Sequence, residues 1–349
     1  MKTAVRRKNG FIADLNGQPR PGSQASGLTV VSLFSGGGGM DLGLNFAGLR
    51  TVFASDVFPE HCETLAHNWG SEAVVETRDI RQLKGADIRR ATGLKSFDVL
   101  AGGPPCQAFS ILGSRDSVRD PRGALVYEYA RLVAELRPRA FIFENVPGLL
   151  SVNRGRDWSD LLQYFKEETG YKLEHRVLNA VEYGVPQSRR RVIVVGLRES
   201  RRTVEWPEPS HGESNLITDR LSPVTAGEAL FGIDKLPNHI IRQHCPRVAS
   251  RYSRIIPGDR DRVDHTDRID PARPSGTVLV GSGAGGGRPF IHPIEPRHIS
   301  VREAARLQSF PDWYEFKSTP TWQYRAVGNA VPCLMAKAIG RAIIQTLEG

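Results

Sequence analysis

Along residues 28–196, short apolar runs alternate with stretches whose apolar positions recur at helical spacing. The runs at 28–34, 50–55, 73–77, 97–101, 140–143, 172–179 and 191–196 read as strands. Between them, residues 40–48 read as a short helix ending at glycine, and a second helix starts near Pro59. Residues 125–136 and 157–168 have amphipathic spacing, the former stopped by Arg137-Pro138. This alternation predicts an α/β fold: a mostly parallel sheet with helices on both faces.

The texture changes near residue 200. From 201 to about 290 there are many prolines, few apolar runs and scattered arginines, which predicts a smaller irregular domain. Its glycine-rich stretch at 281–287 reads as a flexible joint. Pattern returns at Ser300, where a serine followed three residues later by Glu303 forms a capping box ahead of a short helix through Leu307. Gly328-Asn329-Ala330-Val331-Pro332 then breaks the chain before a last amphipathic helix through about Leu347. Residues 1–27 lack periodicity and read as a flexible basic tail. The expected organisation is therefore this tail, a main domain at 28–200, the irregular module at 201–290, and a patterned segment at 291–349.

The 349 residues carry a formal charge of +9, which points to an anionic partner, nucleic acid first. In the module, Arg242, Arg247, Arg251, Arg254, Arg260 and Arg262 face only Asp259 and Asp261 over residues 240–262. This fits either a nucleic-acid-facing surface or solvated arginines on an irregular domain. The cysteines Cys62, Cys106, Cys245 and Cys333 are too scattered for a zinc site or a disulfide framework, so they read as reduced thiols in a cytoplasmic protein that holds no metal. No apolar segment follows the basic start, and no apolar run has the length of a membrane span.

Candidate chemistry collects at the carboxyl ends of the strands, where open α/β sheets bind ligands. The first strand ends in Ser35-Gly36-Gly37-Gly38-Gly39, a turn that lets a nucleotide cofactor approach the backbone. The second ends at Asp56, placed to accept hydrogen bonds from ribose hydroxyls or to cap the next helix; the third is followed by Asp79. The fourth ends in Gly102-Gly103-Pro104-Pro105-Cys106. A cysteine after such a turn is either a structural thiol or a nucleophile held at the active edge. Glu144 ends the following strand and can share a cleft with Cys106, while Arg189 and Arg191 alternate and so face one side.

These segments, in this order, resemble the cytosine C5 DNA methyltransferases. The resemblance spans roughly residues 28–345 and rests on Leu33-Phe34-Ser35-Gly36-Gly37-Gly38-Gly39, Gly103-Pro104-Pro105-Cys106-Gln107-Ala108-Phe109-Ser110 and Glu144-Asn145-Val146. It continues through Gln187-Ser188-Arg189-Arg190-Arg191, the stretch from Arg297 to Asp312, and Gly328-Asn329-Ala330-Val331-Pro332. One departure is Ser32, where many members carry Asp.

The resemblance implies a Rossmann-like methyltransferase domain with S-adenosylmethionine as cofactor, leaving as S-adenosylhomocysteine, and a segment at 291–349 whose final helix returns beside the first strand to complete that domain. Phe34 would lie against the adenine, Asp56 would hold the ribose hydroxyls and Asp79 the adenine amino group. Leu125 and Asn329 would complete the site with Ser35, Gly36, Gly38, Val57, Ile80, Pro104 and Val331.

The implied reaction methylates carbon 5 of a cytosine that has been flipped out of duplex DNA. Cys106 would add to carbon 6, Glu144 would donate to nitrogen 3, and Arg189 and Arg191 would serve the base carbonyl and the loop after Cys106. Ser110, Arg242, Arg247, Arg251 and Arg254 would face the DNA, with the 201–290 module as target-recognition domain. The expected enzyme is a monomer from a restriction-modification or related defence system, or an orphan methylase. A tRNA cytosine C5 methyltransferase, a catalytically idle DNA-binding regulator and a nicotinamide-dependent Rossmann enzyme are the alternatives.

Overall fold

The structure, a computed structural model, describes residues 10–23, 27–105, 124–213, 219–279 and 290–349. Strands β1 (Thr29–Leu33), β2 (Arg50–Asp56), β3 (Val74–Thr77), β4 (Val99–Gly102), β5 (Ala140–Asn145), β6 (Lys172–Asn179) and β7 (Arg190–Leu197) form one sheet of order 3-2-1-4-5-7-6. The first five are mutually parallel, and β7 runs antiparallel to both β5 and β6. The strands match the sequence expectation to within a residue or two at their ends, because the central ones are buried on both faces and therefore read as continuous apolar runs.

Helices cover both faces. Leu132 and Val133 of α5 (Ala124–Leu136) and Leu161 and Phe165 of α6 (Arg156–Thr169) pack with Phe141 and Phe143 of β5 on one side. On the other, Leu44 of α2 (Gly39–Ala47) and Met335, Ile339 and Ile343 of α11 (Cys333–Glu348) pack with Val30, Val99 and Ile142. α11 thus returns from the chain's far end to lie on the first βα unit, as expected, with Gly43 of α2 seated against the Cys333 carbonyl.

Three features differ from the sequence expectation. Residues 10–16, placed in the flexible tail, form helix α1. Leu15 is buried, and Asn16 exchanges two 2.7 Å hydrogen bonds with Asp312. Helix α4 (Gly85–Thr92) had no clear apolar periodicity because only Gly85 and Ile88 are buried. Gly328 and Asn329, read as a break, are the last residues of α10 (Pro320–Asn329), and the chain turns at Ala330–Pro332 instead. The capping box is present as expected: Glu303 N donates to Ser300 Oγ at 3.2 Å, and Ser300 N donates to Glu303 Oε2 at 2.6 Å, opening α9 (Val301–Leu307).

Residues 201–213 and 219–279 are mostly irregular, with short helices α7 (Ala226–Ala229) and α8 (Pro246–Ser253). They are tied to the sheet through Gln187, which accepts from Val278 N at 2.9 Å and donates to Gln308 Oε1 at 2.9 Å. Among the described residues, no single helix is long and apolar enough to cross a membrane.

Candidate active site

The strand order reverses direction between β1 and β4, and a cleft of about 780 Å³ opens at the carboxyl ends of these strands. It is built from the ends of β1, β2, β4 and β5, from Asp79 to Arg81, and from Gly328 to Val331. Phe34 leaves β1 with φ of 56°, in the left-handed region unusual for a non-glycine residue. The glycine turn follows. Gly38 has φ of 78°, and a side chain there would meet the Tyr314 hydroxyl, which itself donates to the Gly37 carbonyl at 2.8 Å. The returning segment therefore packs directly on the turn.

Asp56 ends β2 and is nearly buried. Its carboxylate accepts from Gly36 N at 2.8 Å and Phe58 N at 3.0 Å, and His61 Nδ1 lies 3.2 Å away. Asp79 lines the same cleft, but Arg81 grips both of its oxygens, with Nε at 2.9 and 3.0 Å. That hydrogen-bonded partner holds the Asp79 carboxyl below its usual range.

Glu144, on β5, has a side chain only 13% exposed and lies 2.7 Å from Arg191 Nε. Any side chain at Gly103 would collide with its Oε2, so the carboxyl rests directly on the turn leading to Cys106. The neighbouring Asn145 donates to the Pro104 carbonyl at 3.0 Å and ties this turn to β5. Burial pushes the Glu144 carboxyl up, and the Arg191 and Arg189 charges offset only part of that. Arg189 is fully enclosed and donates to the carbonyls of Val278 at 3.1 Å and Gly328 at 2.9 Å. Its burial and the nearby Arg191 lower its guanidinium pKa to about 9. Both arginines face Glu144, as their alternation predicted, whereas Arg190 is exposed.

The structure therefore brings Phe34, Ser35, Gly36, Asp56, Val57, Asp79, Ile80, Pro104, Leu125, Asn329 and Val331 to one cleft with Glu144, Arg189 and Arg191. Gly38 stands behind the turn against Tyr314. Cys106 and Ser110 lie outside the described residues, as does the 281–287 stretch. Of the module arginines, Arg242, Arg247 and Arg254 are exposed. Arg251 instead pairs with Asp264 and, at 3.1 Å, with Asp261. Over residues 240–262 the sequence shows only Asp259 and Asp261 as opposing charge; Asp264 lies outside that stretch, and the fold that brings 261–264 back onto α8 is not local.

Two cleft residues carried no clear sequence signal. His61 was hidden in the helix α3 (Pro59–Trp69). Asp41 was hidden in α2: it is 1% exposed, and neither carboxylate oxygen has a hydrogen-bond partner among the described residues. Burial raises its pKa to about 6, the neighbouring Ser32 hydroxyl opposes this, and Asp56 adds to it. Among the described residues, no group of three or more His, Cys, Asp or Glu side chains is placed to hold a metal ion.

Comparison with known proteins agrees with this geometry. The profile of the C-5 cytosine-specific DNA methylases matches residues 28–345. The chain is 32% identical to the type II methyltransferase M.XorII of Xanthomonas oryzae, over 91% of this chain and 85% of that protein. It is 36% identical to M.MthTI of Methanothermobacter thermautotrophicus, over 92% and 98%. A solved structure from an Escherichia coli prophage, designated a DNA modification methyltransferase, superposes with a TM-score of 0.77 at 26% identity, covering 92% of this chain and all of that one. The Schizosaccharomyces pombe Dnmt2 methyltransferase shares the fold at 20% identity and a TM-score of 0.63 over 92% of this chain and 98% of that one.

The chain belongs to the C-5 cytosine-specific DNA methylase family. It is a DNA cytosine-5 methyltransferase, and membership of the family implies S-adenosylmethionine as methyl donor and DNA as substrate.

Proposed function

We propose that this protein methylates one cytosine within a specific duplex sequence, through Cys106 as nucleophile and Glu144 as acid, as a monomeric type II modification enzyme. The observation that carries the reading is the Glu144 carboxyl. It is protonation-prone, 2.7 Å from Arg191, and stacked on Gly103 three residues before Cys106. The type II designation of relatives such as M.XorII and M.MthTI supports the restriction-modification context.

The cleft fits the cofactor. A carboxylate stands at the end of β2, a glycine turn admits close backbone approach, and Asp79 and Leu125 flank it. Asp56 would hold the ribose hydroxyls, and Asp79, on release from Arg81, the adenine amino group. S-adenosylmethionine supplies an electrophilic methyl group there. Cytosine carbon 5 is a poor nucleophile, so the Cys106 thiolate adds to carbon 6 and makes an enamine. Glu144 places a proton at nitrogen 3 as electrons enter the ring. Arg191 holds the Glu144 carboxyl in place, and Arg189 braces the Val278 and Gly328 backbone around it. Once carbon 5 carries the methyl group, a water or hydroxide removes the carbon 5 proton, the thiolate leaves, and the nitrogen 3 proton returns to Glu144. The target base must be flipped from the duplex to reach this depth, with residues 201–290 choosing the sequence.

Duplex DNA carrying 5-fluorocytosine at the target should trap a covalent protein–DNA adduct with the native chain. Cys106→Ser should bind S-adenosylhomocysteine normally and give no adduct. Adduct formation by Cys106→Ser, or none by the native chain on DNA it methylates, would refute the nucleophile assignment.

A further inference from the structure

Asp56 is held by more than its own turn. Two backbone amides fix its oxygens from below, and His61 completes the set with Nδ1 at 3.2 Å from Oδ1. His61 is 4% exposed, and its Nε2 has no hydrogen-bond partner among the described residues. The far side of the ring is therefore not anchored by a polar contact.

What holds the ring is aromatic. It stands edge-on to Phe58 at 5.4 Å and to Trp322 at 5.7 Å, and those two rings pack together at 5.0 Å. Trp322 comes from α10, far along the chain, and the Arg325 guanidinium covers its ring at 4.7 Å. The same region is tied to α3 by Lys317 N donating to Thr64 Oγ1 at 3.0 Å and by Asn68 Nδ2 donating to the Glu315 carbonyl at 2.8 Å.

We propose that Trp322 and Phe58 clamp His61 so that its Nδ1–H locks Asp56 in the orientation that receives the cofactor ribose, making His61 a positioning residue and α10 a determinant of cofactor affinity. The proposal rests on the reading of this cleft as the S-adenosylmethionine site. An ionised carboxylate offers about four acceptor positions. The three protein donors leave room for a ligand hydroxyl while removing rotation about the side chain. With His61 gone, two amides remain, one on each oxygen, and Oδ1 is held by one donor instead of two. Pre-organisation of this kind acts on ligand affinity, because less ordering is left to be done on binding.

The test is calorimetric titration of the full chain with S-adenosylhomocysteine and with its 2′-deoxy analogue. The native chain should bind S-adenosylhomocysteine and lose affinity for the deoxy ligand. His61→Ala should weaken S-adenosylhomocysteine about 10-fold, the scale of one hydrogen bond to a charged group. It should weaken the deoxy ligand much less, because the lost positioning serves the missing hydroxyl. His61→Asn, whose amide can reach the same Asp56 oxygen, should recover most of the affinity, and Trp322→Leu should follow His61→Ala in direction. In turnover, the loss should fall on KM for the cofactor far more than on kcat.

Equal weakening of both ligands in His61→Ala, or native affinity for both, would overturn the proposal. A native chain that binds neither ligand would instead overturn the reading of the cleft. Thermal unfolding of His61→Asn and His61→Ala identifies any loss of fold, and the Asn variant decides the matter if the Ala variant is unfolded.

Discussion

Arg191 Nε lies 2.7 Å from Glu144 Oε1, yet the Glu144 carboxyl is pushed above its ordinary value rather than below it. Burial outweighs two guanidinium groups. One of these, Arg189, is enclosed and has its own pKa lowered to about 9, which leaves it charged at neutral pH. The carboxyl therefore stays protonated to higher pH than an ordinary glutamate, the direction a general acid requires.

Glu144→Gln should lower the methylation rate about 10²- to 10⁴-fold, the usual range for a general acid, while S-adenosylhomocysteine binding stays native. In the native chain the protonated form persists to higher pH than in an ordinary carboxyl, so the rate should fall on the alkaline side as Glu144 ionises. Arg191→Met removes a charge that lowers the Glu144 pKa, so this descending limb should move to higher pH. Single-turnover rates across pH test both.

Asp41 ionises at about pH 6 in the fold, against an ordinary value near 3.8. A raised value means that its contribution to stability is fully present below about pH 4 and is lost as pH rises through 6. The shift corresponds to roughly 2–3 kcal/mol. Asp41→Asn should therefore raise the unfolding midpoint at pH 7.5 and leave it nearly unchanged at pH 4, as read by denaturant titration at both pH values.

Arg251 and the exposed module arginines should separate in DNA binding. Arg242→Ala or Arg247→Ala, where the side chain contacts a phosphate, should lower the slope of log K against log salt by about 0.9 per residue. Arg251→Ala should leave that slope unchanged and instead loosen the packing of α8 on Asp261 and Asp264. Salt-titrated binding to a duplex and proteolysis of the free protein distinguish the two effects.

Arg297 clasps Glu303 with two 2.9 Å hydrogen bonds, and Glu303 is 1% exposed. Burial alone would push the Glu303 carboxyl up, but Arg297 holds it below its usual value. Stability from this pair is present above the unfolded carboxyl pKa and lost as pH falls through the lowered one. Arg297→Met strands the carboxylate and should cost about 3–5 kcal/mol, measured as the change in denaturant midpoint at constant slope.

The sheet was legible in the sequence because its central strands are buried on both faces and its turns need glycine and proline. Seven apolar runs, their order and the polar groups at their ends follow from local chemistry. So does the placing of Glu144 beside the Gly103–Pro104 turn, since neighbouring parallel strands place their carboxyl ends together, and the common face of Arg189 and Arg191, since extended chain repeats every second residue. The capping box at Ser300 and Glu303 is contained within one turn of chain.

Tertiary structure alone decided the contacts between distant segments. Nothing near Asp56 in the sequence announces Trp322, and nothing near Asp312 announces Asn16. Arg251 reads as a free charge until the chain folds Asp261 and Asp264 onto it. Asp41 reads as an ordinary polar helix residue until Gly39 and Gly43 let α11 and the turn before it close over α2. In each case the determining quantity is burial or partnership across a long loop, and a linear pattern of apolar and polar positions carries no record of which distant side chain removes the water.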